Sequence, residues 1–152
     1  MKTKLTALFA AVLGLFVVAI TPPVTVMAGE KIHKVAVHVD QSDPKVMNMA
    51  LNNVVNLNKY YASKGEKVEV EVVAYGPGLH MFRADTSPVK ARIEKMGLQF
   101  ENLKFSACGN THRKMSAKAG KKVAIMSEAR MVPSGVVQLI ELQEKGYSYI
   151  RP

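Results

Sequence analysis

Cysteine occurs once in the 152 residues, and tryptophan not at all. A single cysteine excludes a disulfide framework within one chain, a CxxC redox pair and a four-cysteine zinc knot. The sequence has no GxSxG elbow, which counts against a Ser-His-Asp hydrolase, and no HxxxH pair to supply local metal-ligand spacing. It also has no repeat, low-complexity tract or linker, so the length points to one domain. Acidic residues are sparse, 12 against 21 Lys and Arg, for a formal net charge of +9. Long apolar runs are limited to one, at the front. The near-zero mean hydropathy of +0.03 therefore hides an uneven distribution.

That front segment has the form of an export signal. Lys2 and Lys4 make a short positive region, an uncharged apolar run follows from Leu5 to Ile20, and Thr21-Pro22-Pro23 ends it. Val26-Met27-Ala28 supplies the small or aliphatic residues that a signal peptidase reads. The rival reading is an uncleaved anchor, but the run falls short of the roughly 20 residues a spanning helix needs. The expected organisation is a signal peptide over residues 1–28 and a single domain over 29–152. Cleavage removes two of the 21 basic residues and none of the 12 acidic ones, leaving 124 residues at +7. Such a chain works in the periplasm or beyond, off the membrane. A modest basic cluster, Arg113, Lys114, Lys118, Lys121 and Lys122, has no interleaved aromatics, so no nucleic-acid surface is expected. Solvated surface charge is its default reading.

Strands and helices alternate along the rest of the chain. Lys31 to Val39 alternates and is rich in valine, which predicts a strand. Asp43-Pro44 then reads as a cap followed by proline at the first helical position, with Met47, Ala50, Leu51, Val54, Leu57 and Tyr61 on one face. Val68 to Tyr75 is the second strand, closed by Gly76-Pro77-Gly78, and a short helical piece is expected within Leu79–Arg83. Ser87-Pro88 predicts the start of the next helix and Gly97 its end. Leu103 to Ala107 is the third strand, followed by a helix from about His112 to Ala119. Val123-Ala124-Ile125 suits either a helical end or a loop packed on the core. Glu128 to Val132 is a weak fourth strand, Ser134 can cap a helix that Gly146 stops, and Tyr147 to Arg151 is a short last strand. This order predicts an α/β domain: a three-layer, open, mostly parallel sheet with helices on both faces.

Ligands of such sheets lie beyond the carboxyl ends of the strands. The residues there are Asp40 and Gln41, Gly76 to His80, Cys108 to His112, and Pro133 to Gly135. The only cysteine of the chain is among them. A thiol between a strand and a following helix lies near backbone N–H groups and the positive end of the helix dipole, both of which favour the nucleophilic thiolate. Gly109 permits close approach of a substrate, Thr111 can cap the helix, and His112, Arg113 or Lys114 could lower the thiol pKa. The bland alternative is a small buried hydrophobe, because free cysteine is among the most buried residue types. With no partner in its own chain, Cys108 could carry a persulfide, a mixed disulfide or a metal. His80 should face the same crevice. A soft-metal set of Cys108, His80 and His112, with Met81 or Met115 as a further ligand, lacks supporting spacing, so neither a metal nor a cofactor is expected. His33 and His38, on the first strand, read as structural.

Three stretches resemble the DsrE/DsrF-like family: Gly76-Pro77-Gly78-Leu79-His80, Phe105-Ser106-Ala107-Cys108-Gly109-Asn110-Thr111, and Val132-Pro133-Ser134-Gly135-Val136-Val137 continuing through Ile140 to Tyr147. They look most like its exported single-domain branch, related to sulfur oxidation, and the resemblance covers nearly the whole mature chain. It implies a parallel-sheet α/β fold and a homo-oligomer, trimer or hexamer. It also implies a strand-end cysteine that accepts sulfur as a persulfide and passes it to a partner, as a sulfurtransferase or sulfur carrier. By motif that cysteine is Cys108, with His80, Gly109, Asn110, Thr111 and His112 as ligand-binding residues. The partners implied are sulfur donor and acceptor proteins or small sulfur species. The expected leader sets this chain apart from the cytoplasmic relay partners of the family, and the sequence around Cys108 is the branch's own version of the motif. The alternative expectation is a non-catalytic oligomeric module binding a small ligand or soft metal in the same crevice.

Overall fold

The computed structural model describes residues 31–152, so the expected signal peptide lies outside the described residues. Five strands, β1 (Ile32–Val39), β2 (Lys67–Ala74), β3 (Leu103–Cys108), β4 (Ala129–Val132) and β5 (Ser148–Ile150), form one sheet in the order β4-β3-β2-β1-β5. Every pairing is parallel, with Val35 opposite Val70, Val72 opposite Phe105, and Cys108 opposite Val132. The helices are α1 (Pro44–Ser63), α2 (Lys90–Gln99), α3 (Gly109–Ala119) and α4 (Gly135–Glu144). The expected α/β architecture is the one observed.

Local chemistry explains most boundaries. Asp43 caps α1, its carboxylate accepting the Lys45 N–H at 2.8 Å, with Pro44 in the first turn. Alternation in β1 and β2 sends Val35, Val37, Val39, Val70 and Val72 to one face. There they meet Met47, Leu51 and Val54 of α1 and Ile93 and Met96 of α2 in the main core. On the other face Ala36 and Val73 meet Leu139 and Leu142 of α4, with Tyr75 and Tyr147 packed against them. Helices thus cover both faces, but the apolar seal beneath α4 is small.

Three expectations need adjustment. Helix α2 does not start at Ser87-Pro88. The Ser87 hydroxyl donates to the Met81 carbonyl at 2.5 Å and accepts from Val89 N–H, so it pins the preceding turn, and α2 begins at Lys90. Gly97 does not stop that helix either, which continues to Gln99, because its backbone stays helical and the position faces the Glu128 side chain. Helix α3 starts at Gly109, three residues earlier than expected, directly off β3. The segment around Val123–Ile125 is a loop on the core, held by a bridge between Arg83 and Ile125 and by the Met126 N–H bonded to the Phe82 carbonyl. Between β2 and α2 the chain forms a 3₁₀ helix, Gly76–Phe82.

Candidate functional site

The site forms where three chain reversals meet at the carboxyl ends of β2, β3 and β4. Gly76, at φ +53°, turns the chain out of β2 in a conformation open to glycine. This turn directs its N–H to the Thr111 hydroxyl oxygen at 2.9 Å. Gly78 then lies so close to the end of β1 that a Cβ there would sit 2.1 Å from the Val39 carbonyl oxygen. From β4, Pro133 and Ser134 lead into Gly135, the first residue of α4. A Cβ on Gly135 would come within 2.9 Å of Tyr75 Cβ and 3.1 Å of Cys108 Cβ. Glycine here lets the start of α4 settle directly onto Tyr75 and Cys108.

Cys108 occupies the N-cap position of α3 and is 4% exposed. The thiol itself donates no capping hydrogen bond. Burial pushes its pKa up, but the Thr111 hydroxyl and the backbone N–H groups of Thr111, Gly135 and Asn110 more than offset this by hydrogen bonding to the sulfur, so the net shift is downward. The Thr111 oxygen already accepts from Gly76, which leaves its own hydrogen for the sulfur. Two helix starts, α3 and α4, contribute amides to one atom. Burial alone would suit an inert hydrophobic cysteine; donors converging on the sulfur suit a thiolate.

The other site residues expected from sequence divide into two groups. Gly109, Asn110 and Thr111 lie at the sulfur; a Cβ on Gly109 would meet the Val132 carbonyl oxygen at 3.0 Å, so glycine permits the tight passage from β3 to α3. His80 and His112 make their bonds elsewhere. His80 Nε2 pairs with the Thr86 carbonyl at 2.9 Å, and His112 Nε2 with the Val123 carbonyl at 2.8 Å. Of the cations expected to lower the thiol pKa, Arg113 donates to the Asn110 side chain. Hydrogen bonds from Thr111 and from the Asn110, Thr111 and Gly135 amides lower the thiol pKa instead. Among the described residues no group of three or more His, Cys, Asp or Glu is arranged to hold a metal ion.

Sequence reasoning passed over the aromatic row beside the cysteine. Tyr75, half-buried, stacks on the His38 ring with centroids 4.4 Å apart, and His38 Nδ1 pairs with the Tyr149 hydroxyl at 2.7 Å. Burial pushes the Tyr75 hydroxyl up in pKa, and the nearby Asp40, Tyr149 and Cys108 add to the shift while Arg151 opposes it. Burial likewise pushes the His38 pKa down, with Asp40 opposing and Arg151 reinforcing. His33, by contrast, is accounted for structurally, pairing with Glu66 at 2.7 Å and stacking on Tyr61. The available signal was alternation, which puts His38 and Cys108 on the same sheet face. Strand order, which sequence does not give, was needed to bring them to one end of adjacent structure.

The family model described as DsrE/DsrF-like matches residues 34–152. Among solved structures, the chain is similar to a protein of unknown function, MTH1491, from Methanobacterium thermoautotrophicum. The two are 30% identical with a TM-score of 0.67, over 79% of this chain and 99% of that one. No curated protein matches the sequence significantly.

Proposed function

We propose, from the premise that this chain belongs to the DsrE/DsrF-like family, that it is an exported sulfur carrier in which Cys108 accepts sulfane sulfur as a persulfide and relays it to a partner thiol. The observation that carries this reading is the set of donors at Cys108, namely the Thr111 hydroxyl and the amides of Asn110, Thr111 and Gly135. A carrier needs a sulfur that is ionised for attack and a cradle that holds the resulting persulfide anion, and the same donors serve both states. The Cys108 thiolate attacks the outer sulfur of a sulfane compound. A new S–S bond forms, the donor's S–S bond breaks, and the donor leaves with the electron pair. Handover to an acceptor thiolate repeats the exchange, so no external oxidant or reductant is consumed.

Export follows from the leader pattern at residues 1–28. Self-association is part of the same proposal, because Val136, Val137 and Ile140 on α4 lie in the open beside the site. The test is to incubate the protein with inorganic polysulfide and weigh it intact. The expected result is a gain of whole sulfur atoms that a reductant removes and that Cys108→Ala abolishes. No gain, or a gain that Cys108→Ala retains, refutes the carrier.

A further inference from the structure

The strand order β4-β3-β2-β1-β5 makes the chain step one way from β1 to β4 and then return across the sheet to β5. The reversal point therefore falls between β1 and β5, and in open parallel sheets the crevice at that point is where ligands bind. It lies about 12 Å, two and a half strand spacings, to the side of Cys108 on β3.

The side chains at this spot carry a second, independent sign of a ligand. His38 is 4% exposed, and its Nε2 is buried with no hydrogen-bond partner among the described residues. An unpaired buried polar atom costs about 1–3 kcal/mol, and native folds keep few of them. Its other ring nitrogen is fixed by Tyr149, so the imidazole is held in place. At the rim, Arg151 bonds Asp40 through Nε and Nη2, leaving Nη1 without a bond among the described residues on a side chain that is 48% exposed. Tyr75 connects the two places: its ring stacks on His38, and its Cβ and that of Cys108 both crowd Gly135.

We propose that His38, Tyr75, Tyr149 and Arg151 form a subsite for the organic part of the sulfur donor, a carboxylate-bearing thiol of peptide size presented as its persulfide. The carboxylate pairs with Arg151, a polar group of the donor satisfies His38 Nε2, and the chain crosses Tyr75 to bring its outer sulfur to Cys108. A two- or three-residue thiol has the reach to be anchored at Arg151 while its sulfur meets Cys108; inorganic polysulfide can react at Cys108 but gains nothing from the subsite. In the reaction, the Cys108 thiolate bonds to the outer sulfur of R–S–S–H. The donor's S–S bond breaks, R–S⁻ leaves with the electron pair and takes a proton from water, and Cys108–S–SH remains. This assignment of the donor rests on the carrier reading, but the subsite can be tested without sulfur transfer.

The probe is S-methylglutathione, a carboxylate-bearing peptide thioether that cannot transfer sulfur. It is titrated into the Cys108→Ser protein, with binding followed by calorimetry and the His38 ring signals by NMR. Saturable binding that shifts the His38 resonances and weakens about ten-fold in Arg151→Ala supports the subsite. The Arg151 side chain is 48% exposed, so that variant is expected to fold, and an unchanged melting temperature checks this. His38→Phe, which keeps a ring to stack on Tyr75, should weaken binding as well. No saturable binding, or binding that both substitutions leave intact, overturns the subsite. Binding without any sulfur gain on wild-type Cys108 from polysulfide would leave the subsite standing and remove the carrier; the reverse pattern would do the opposite.

Discussion

At the residue scale, the chemistry depends on whether one sulfur is ionised, and small neighbours decide that. Gly135 is the most exacting of them. A methyl group there must displace Tyr75 or Cys108, both closer than ordinary contact allows. Gly135→Ala should therefore destabilise the fold by about 1–3 kcal/mol. It should also move the Gly135 amide off the sulfur and raise the Cys108 pKa, which thiolate absorbance against pH measures. His38 provides a separate test. Burial depresses its folded-state pKa below 6.5, so the unfolded chain binds the proton more readily. Its contribution to stability is complete above pH 6.5 and is lost as pH falls through the depressed value. Denaturant unfolding below pH 6.5 should show wild type losing stability with falling pH, and His38→Gln should flatten that dependence.

At the scale of elements, α4 rests on a small apolar cluster and, together with α3, supplies an amide to the sulfur. Beneath it the apolar contact consists of Ala36, Val73, Leu139 and Leu142 with Tyr75 and Tyr147 at its edge, against the much larger core beneath α1 and α2. Polar bonds supplement it. Glu71, 3% exposed in the middle of the sheet, accepts from Gln138 of α4 at 2.8 Å, from Ser106 at 2.6 Å and from Arg130 at 2.7 Å. Leu139→Ala should cost about 2–5 kcal/mol. It should speed amide hydrogen exchange through α4 before the rest of the sheet, and raise the Cys108 pKa as the Gly135 amide loosens. The elements themselves were legible because alternation, Asp43-Pro44 and Gly76-Pro77-Gly78 are local signals. The errors at Ser87, Gly97 and the start of α3 have a common cause. Those residues look like helix punctuation, but their side chains or small size are used by distant partners: the Met81 carbonyl, the Glu128 side chain and the crossing from β3. The site shows the same limit. Cys108 and its Gly-Asn-Thr sequel were readable as a run and Gly135 as a strand-end neighbour, whereas Tyr75 and His38 join them only through strand order. His80 and His112 looked like partners by proximity in sequence, yet each spends its ring nitrogen on a backbone carbonyl.

At the scale of the whole molecule, the exposed face of α4 is where the proposed assembly would connect with the chemistry. Val136 is 52% and Ile140 51% exposed on the helix whose first amide reaches Cys108. If copies associate through this face, association also steadies that amide. Ile140→Lys should then shift the protein toward monomers in sedimentation and slow sulfur loading, whereas a face uninvolved in assembly would change neither. The central claim, a thiol held ready as thiolate, is tested most directly by the rate of Cys108 alkylation against pH on the folded protein. The rate should rise to a plateau with its midpoint below the ordinary thiol value of 9.0, and Thr111→Val should move that midpoint upward. A midpoint at or above 9.0, or a thiol that reacts only on unfolding, would contradict the account.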